Sequence, residues 1–361
     1  MLIAPGRTEG HLAGFALRWK ALSDALESPD FSYVALDDSG SNIPLSLSES
    51  DVEHADDDAS MLIVRSMERF RPDVVVLTEL RIVPYLPLVR SVAECVVVVD
   101  MHNVESHLKR QLAAADARAG HTTRYTADVL NLVRRLELLA IDLADQIWLC
   151  SKDDCQILRS AYPDRLVPLH VVPNAVSVPG SSGPAIPGTT RKVVFVGTLG
   201  YPPNERAIRF IAHELLPLLK LPDHFIVEIA GSQAPDSVRE LAGLVGLKLN
   251  ENFESFEEAT RGAILIAPLW EGSGTRFKLL EAMAHRVPIV ATRLAAEGLD
   301  VVDRKEIMFA ENAEEFNVAI RAVADDLTIS HRLCDRSLDL VRRQYSIPAM
   351  REKIATALRS V

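Results

Sequence analysis

The sequence predicts an α/β protein made of two parallel-sheet domains. Short apolar runs alternate with helical patterns along the whole chain, which is the signature of βαβ units. Its 361 residues exceed what a single core usually holds. One stretch rich in Pro, Gly and Ser, VSVPGSSGPAIPGTT at residues 176–190, interrupts the alternation, and strand periodicity resumes directly after it with KVVFVG.

In the first half the strand candidates are LIAP at the start, SYVALDD near residue 32, DVVVLTEL near 73, CVVVVDMHN near 95, QIWLCS near 146 and LHVVPNAV near 169. In the second half they lie near residues 193, 225, 263, 288 and 307. Runs this uniformly apolar suit strands buried on both faces. The expected division is a first domain over 1–176, a linker over 177–190, a second domain over 191–340 and a terminal helix over 341–361. Helical periodicity in the last thirty or so residues breaks near Tyr345-Ser346-Ile347-Pro348. The two halves share an architecture and no internal sequence repeat.

Composition narrows the function classes. Hydrophobic residues at 48% give ample core, and a net charge of −11 argues against a broad nucleic-acid footprint. The four cysteines, Cys95, Cys150, Cys155 and Cys334, are scattered, and neither a CxxC spacing nor a secretory leader is present. With no apolar run of about 18 residues, no spanning helix is expected, and the expected compartment is the cytoplasm. The basic clusters His107-Leu-Lys-Arg110 and Arg134-Arg135 read as solvated helix faces, with weak peripheral membrane contact the alternative. Asp56, Asp57 and Asp58 lack strand context and read as a solvated loop or helix start, so no metal site is expected.

The segment from Ile264 to His285, IAPLWEGSGTRFKLLEAMAH, reads as strand, glycine turn and helix. Gly272 and Gly274 allow a ligand to approach the main chain, and the helix that follows would direct free N–H groups at an anion. Phe277, Leu280 and Ala284 recur at helical spacing and face a core, while Lys278, Glu281 and His285 form an adjacent stripe. Arg276 stands in the first turn, where a cation opposes the helix dipole unless a bound anion compensates it. The simpler account is a surface Arg and a Lys278/Glu281 helix pair worth about 0.2–0.5 kcal/mol.

The pattern G-x-G-T-R-x-K-x-x-E-A-M-A followed by V-P-I-V-A-T resembles the donor-binding segment of retaining glycosyltransferases of family 4. VVPNAV from residue 171, VVFVGTLGYPPNERAI from 193, VEIAGS from 227 and AAEGLD from 295 agree with that family in order. The resemblance covers about residues 95–361 and is weaker before them. It implies the GT-B fold, two Rossmann-like domains with parallel sheets facing across a cleft, the last helix crossing back to the first domain. It implies transfer of a sugar from a nucleoside-diphosphate sugar, with UDP the expected nucleotide, to an acceptor, with no metal and no other cofactor. A nucleotide-sugar epimerase or a non-catalytic sugar- or nucleotide-binding protein on the same fold is the alternative.

The resemblance also distributes roles. Arg276 and Lys278 would stabilise the leaving diphosphate, and His102, in DMHNVES at a strand's carboxyl end, would position the donor sugar. Glu281 matches the second Glu of the family's E-x7-E motif, which holds the nucleotide ribose. The first Glu is the departure, since strict spacing puts Ser273 there and leaves Glu271 two residues earlier. Ser273, Gly274 and Thr275 belong to the donor loop. Gly197 and Asn204 lie where relatives clamp phosphate with an Arg and a Lys, which GTLGYPPNERAI replaces; for Asn204 ordinary turn and cap chemistry is the first reading. Gly6, Arg7 and His11, after the first strand, with Asn103 and Glu105, are assigned to the acceptor side. Asn174 reads as a turn residue supporting the hinge.

Overall fold

The computed structural model describes residues 1–5, 14–27, 33–36, 57–118, 120, 122–180, 191–220, 225–251, 253–271 and 277–360. The chain divides into two compact units, Met1–Asn174 with Met350–Val361, and Ala175–Ala349.

The first unit holds a sheet of β1 (Leu2–Pro5), β2 (Tyr33–Leu36), β3 (Val74–Thr78), β4 (Val96–Met101), β5 (Gln146–Leu149) and β6 (Leu169–Val171) in the order β2-β1-β3-β4-β5-β6. Every pairing is parallel. Val97, Val98 and Val99 of β4 are all fully buried, as a valine run covered on both faces should be. The helices are α1 (Gly14–Leu26), α2 (Asp57–Phe70), α3 (Leu86–Val92), α4 (Glu105–Arg118), α5 (Ala127–Leu143) and α6 (Lys152–Ala161). Thr126 and Ser151 cap α5 and α6 by accepting the N–H groups of Val129 and Asp154.

The second sheet runs β12-β11-β10-β7-β8-β9, from β7 (Lys192–Thr198), β8 (Ile226–Ser232), β9 (Lys248–Asn250), β10 (Ala263–Ala267), β11 (Ile289–Ala291) and β12 (Met308–Phe309). Its pairings are parallel as well. The sequence reading has no counterpart of β9, a three-residue edge strand with alternating polar residues and no apolar run to announce it. Gly231 of β8 sits where a Cβ would lie 1.9 Å from the carbonyl oxygen of Gly197. Only a residue without a side chain fits between those strands.

Helices of this unit used below are α7 (Pro202–Phe210), which continues through a π turn, Ile211–Leu215, into α8 (Leu216–Leu219), then α9 (Asp236–Val245), α10 (Phe256–Thr260), α11 (Phe277–Ala284), α12 (Ala313–Asp325) and α13 (Leu327–Leu340). After a second π turn, Val341–Tyr345, the chain breaks at Ser346 and enters α14 (Ile347–Leu358). The sequence reading placed the terminal segment at 341–361 and the first border at 176, and both positions shift. Tyr345 is buried, its hydroxyl accepts the Asp300 N–H at 2.8 Å, and its carbonyl accepts the Val176 N–H at 2.9 Å. These bonds keep Val176 and residues 341–349 in the second unit. Arg351, in the returning segment, donates to the carbonyls of Ala25 and Asp24 at 3.0 Å each and so satisfies two otherwise orphaned acceptors at the end of α1. Among the described residues no helix is long and apolar enough to cross a membrane.

One buried ion pair ties α1 to the first sheet. Arg18 and Asp100 are both fully buried; Nε donates to Oδ2 at 2.9 Å, and Nη2 contacts Oδ1. Arg18 also donates to Asn174 Oδ1 at 2.8 Å and to the Val172 carbonyl at 3.0 Å, and Thr78 Oγ1 donates to Asp100 Oδ2 at 3.0 Å. Asn174 is therefore a buried acceptor for Arg18 as well as a residue at a domain border. Arg18→Ala leaves Asp100 buried and uncompensated, a loss of about 3–5 kcal/mol. Urea unfolding of the variant checks this, and a midpoint equal to wild type would refute it.

Candidate functional site

In the second unit, α11 is buried on nearly every side. Phe277, Leu279, Leu280, Ala282, Met283 and Ala284 are core residues, leaving Lys278 and Glu281 as its only partly exposed positions. They lie three apart, on one face. They do not form the helix pair that surface chemistry suggests, since among the described residues Glu281 pairs with no cation. Burial alone pushes its carboxyl up to about 7.

Lys278 points instead toward the carboxyl end of β7. Its ammonium lies 4.4 Å from the centre of the buried Phe195 ring and donates to Asn204 Oδ1 at 3.3 Å. Asn204 is itself fixed, its amide donating to the Thr198 carbonyl at 2.8 Å. Gly197 completes this cradle. A Cβ there would lie 2.8 Å from Asn204 Nδ2 and 3.0 Å from Lys278 Nζ.

The N-terminus of α7 does not supply the usual donors. Pro202 and Pro203 carry no N–H, and the N–H groups of Asn204 and Glu205 both bond the Tyr201 carbonyl, at 2.8 and 3.1 Å. Asn204 therefore works through its side chain, its amide closing the strand-to-helix turn on the Thr198 carbonyl and its Oδ1 accepting from Lys278. Among the described residues, Lys278 brings a positive charge to this strand end. A second cation, Arg206 of α7, is ion-paired with Glu271, just beyond β10, and Glu271 is 8% exposed. Trp270, next to Glu271 in the chain, stacks edge-on against Phe210 with ring centres 4.7 Å apart and stays 42% exposed.

In the first unit the carboxyl ends of β3 and β4 gather a polar cluster that the sequence reading only half found. Asp100 and His102 were expected there; Glu79, Thr78 and Arg18 were not. Glu79 is buried and has φ 77° and ψ 147°, a backbone region suited to glycine and costing another residue about 1–3 kcal/mol. Its N–H bonds the Asp100 carbonyl at 2.9 Å, and its Oε2 takes Arg81 at 2.6–2.7 Å. His102 Nδ1 lies 3.7 Å from Glu79 Oε1, and Nε2 lies 3.9 Å from Asp100 Oδ2. Burial, and then the charge of Arg18, lowers the imidazole to about 3, so the ring is neutral. Asn103 and Glu105 sit beside it and bond each other at 3.2 Å, Glu105 also pairing with Lys109 one turn on. A glutamate ending an apolar run, as in DVVVLTEL, was the available signal for Glu79. Arg18 gave none, because an arginine among Ala16, Trp19 and Leu22 reads as a solvated helix position.

Gly6, Arg7 and His11 of the acceptor-side assignment, Ser273, Gly274 and Thr275 of the donor-loop assignment, and Arg276 lie outside the described residues.

Among solved structures the chain is similar to sucrose-phosphate synthase from Thermosynechococcus elongatus, with TM-score 0.71 and 14% identity over 99% of this chain and 98% of that one. It is also similar to Anabaena HepE in complex with UDP, with TM-score 0.69 and 12% identity over 100% and 99%. The fold is GT-B. A third GT-B neighbour, S. aureus TarM in complex with fondaparinux, alpha-GlcNAc-glycerol and UDP, gives TM-score 0.63 and 11% identity over 83% of this chain. The chain spans 58% of the length of TarM. Residues 190–326, within the second GT-B domain, match the family described as Glycosyl transferases group 1. Curated protein sequences give no significant match.

Gly197→Ala should push Lys278 and Asn204 out of their cradle while leaving the sheet paired. The expected result is a thermal midpoint within a few degrees of wild type and a nucleotide affinity at least tenfold weaker; unchanged affinity would show that the cradle binds nothing.

Proposed function

We propose that the protein is a retaining glycosyltransferase that moves a sugar from a UDP-sugar to an acceptor without a resident metal. The observation that carries this is the Lys278 ammonium, held by Asn204 and Phe195 beside a bare glycine at a strand's carboxyl end, within the segment that matches Glycosyl transferases group 1. Ligands of open α/β sheets bind at that edge. Breaking a glycosyl–diphosphate bond develops negative charge on the leaving phosphate, and a preorganised donor to such charge contributes about 2.7–4 kcal/mol. Lys278 takes that role, with Arg276 as its partner. UDP in the HepE and TarM structures supports the choice of nucleotide.

Glu281, on the same face of α11, accepts the ribose hydroxyls through its two oxygens. Glu271, already engaged by Arg206, reaches the sugar as a fixed acceptor. In the first unit His102 positions the transferred sugar. A front-face mechanism, in which the leaving phosphate takes the acceptor's proton, requires no protein nucleophile.

Calorimetric titration with UDP, GDP, ADP and dTDP, with and without EDTA, tests the reading. Selective, chelator-insensitive UDP binding is expected. Lys278→Ala should weaken it about 10–100-fold, the range for a hydrogen bond to a charged group. Equal affinity in the variant would remove the diphosphate site from this position.

Glu281 adds a pH signature. Its folded-state carboxyl is raised to about 7, while accepting hydroxyls favours the ionised form. Binding should therefore release a proton, and affinity should rise between pH 6 and 8. The phosphate of UDP titrates in the same window, so the diagnostic is the difference from Glu281→Gln, whose slope should be shallower. Identical slopes would deny Glu281 the ribose.

A further inference from the structure

The Glu79–His102–Asp100 cluster presents a proton count that its described hydrogen bonds leave open. Both ring nitrogens of His102 face carboxyl oxygens, Glu79 Oε1 at 3.7 Å and Asp100 Oδ2 at 3.9 Å. A neutral imidazole carries one N–H and one lone pair, so it can donate to one of those oxygens and not to both. Glu79 Oε1 and His102 Nε2 are both buried without a hydrogen-bond partner. Buried polar atoms in that condition call for a proton or a ligand to complete them.

The two carboxyl groups are not equivalent. Asp100 Oδ2 already accepts from Arg18 Nε and from Thr78 Oγ1, and Oδ1 meets Arg18 Nη2. Glu79 is held by Arg81 through Oε2 alone, leaving Oε1 for the histidine. The other charged groups facing the pair are Arg18 from α1 and Glu105 from α4, the latter engaged by Lys109. An extra proton therefore belongs on Glu79, which neutralises the one carboxyl without full compensation and gives Nδ1 a donor.

We propose that Glu79 is a positioning residue for His102: protonated, it donates from Oε1 to Nδ1 and fixes the ring as the Nε2–H tautomer directed at Asp100. The backbone supports the assignment. A φ of 77° and the bond from Glu79 N–H to the Asp100 carbonyl hold the carboxyl beside the ring, which an ordinary strand exit would not do. Burial raises the Glu79 carboxyl to about 7 despite the opposing charge of Arg81. The protonated form thus prevails below neutrality, and above it the proton passes to solvent and Oε1 confronts the Nδ1 lone pair. With a carboxyl group facing each nitrogen, His102 acts on the substrate by position and shape. That bearing on transfer rests on the reading of the previous section; the pairing itself does not.

Nitrogen-15 NMR of histidine-labelled full-length protein without ligand is the test, with His102 assigned by loss of its signals in His102→Gln. In wild type the Nε2–H tautomer is expected at pH 6, with a step in the Nδ1 shift near pH 7. Glu79→Gln, which can still donate from its amide and keeps the side-chain shape, should retain the tautomer and lose the step. Arg81→Met removes the cation opposing protonation and should move the step to higher pH. An Nδ1–H tautomer in wild type, an unchanged step in Glu79→Gln, or a step that does not rise in Arg81→Met each overturns the proposal. Sugar transfer measured on the same samples separates the two readings, because absence of transfer with the NMR pattern intact sinks the transferase reading alone.

Discussion

Parallel strand pairing is the constraint from which the rest of this molecule follows. Strands covered by helices on both faces must be apolar along their length, because a polar group between sheet and helix would lose water without gaining a partner. Polar chemistry is displaced to the strand ends, and parallel pairing collects all the carboxyl ends of a sheet on one edge. In the first sheet that edge carries Thr78, Glu79, Asp100 and His102; in the second it carries Gly197, Asn204 and Glu271.

The first edge is built on a charge pair that would be costly if any part of it were missing. Removing a guanidinium and a carboxylate from water is repaid only when every remaining donor and acceptor finds a partner. Each nitrogen of Arg18 finds a partner among Asp100, Asn174 and Val172, and both oxygens of Asp100 find theirs in Arg18 and Thr78. The result is a rigid platform joining α1, β3, β4 and the chain after β6. His102 rests on it, and the unusual backbone of Glu79 closes the other side. Strain at Glu79 is tolerated because the surrounding bonds over-determine its position.

The second edge is assembled by subtraction. Two prolines strip the first turn of α7 of donors, a glycine clears space at the end of β7, and burial of α11 on its other faces leaves Lys278 and Glu281 alone on the accessible one. Arg206, from the same helix as Asn204, is ion-paired with Glu271.

Much of the fold was legible in the sequence, because buried parallel strands leave long valine and isoleucine runs such as VVVV at 96–99 and AILIA at 263–267. β9, short and polar at an edge, left no such trace. The pairing of Lys278 and Glu281 on one partly exposed helix face was legible for a related reason, since i, i+3 spacing is a local feature. Sequence alone thus determined the two-sheet architecture, the strands that build it and the Lys278/Glu281 stripe. Tertiary structure decided which groups meet: Arg18 with Asp100 across 82 positions, Lys278 with Asn204 across 74, Arg206 with Glu271 across 65, and the Glu79 carboxyl with the His102 ring. These groups lie on different elements, and only sheet order and helix packing bring them together, so no periodicity or spacing along the chain encodes them.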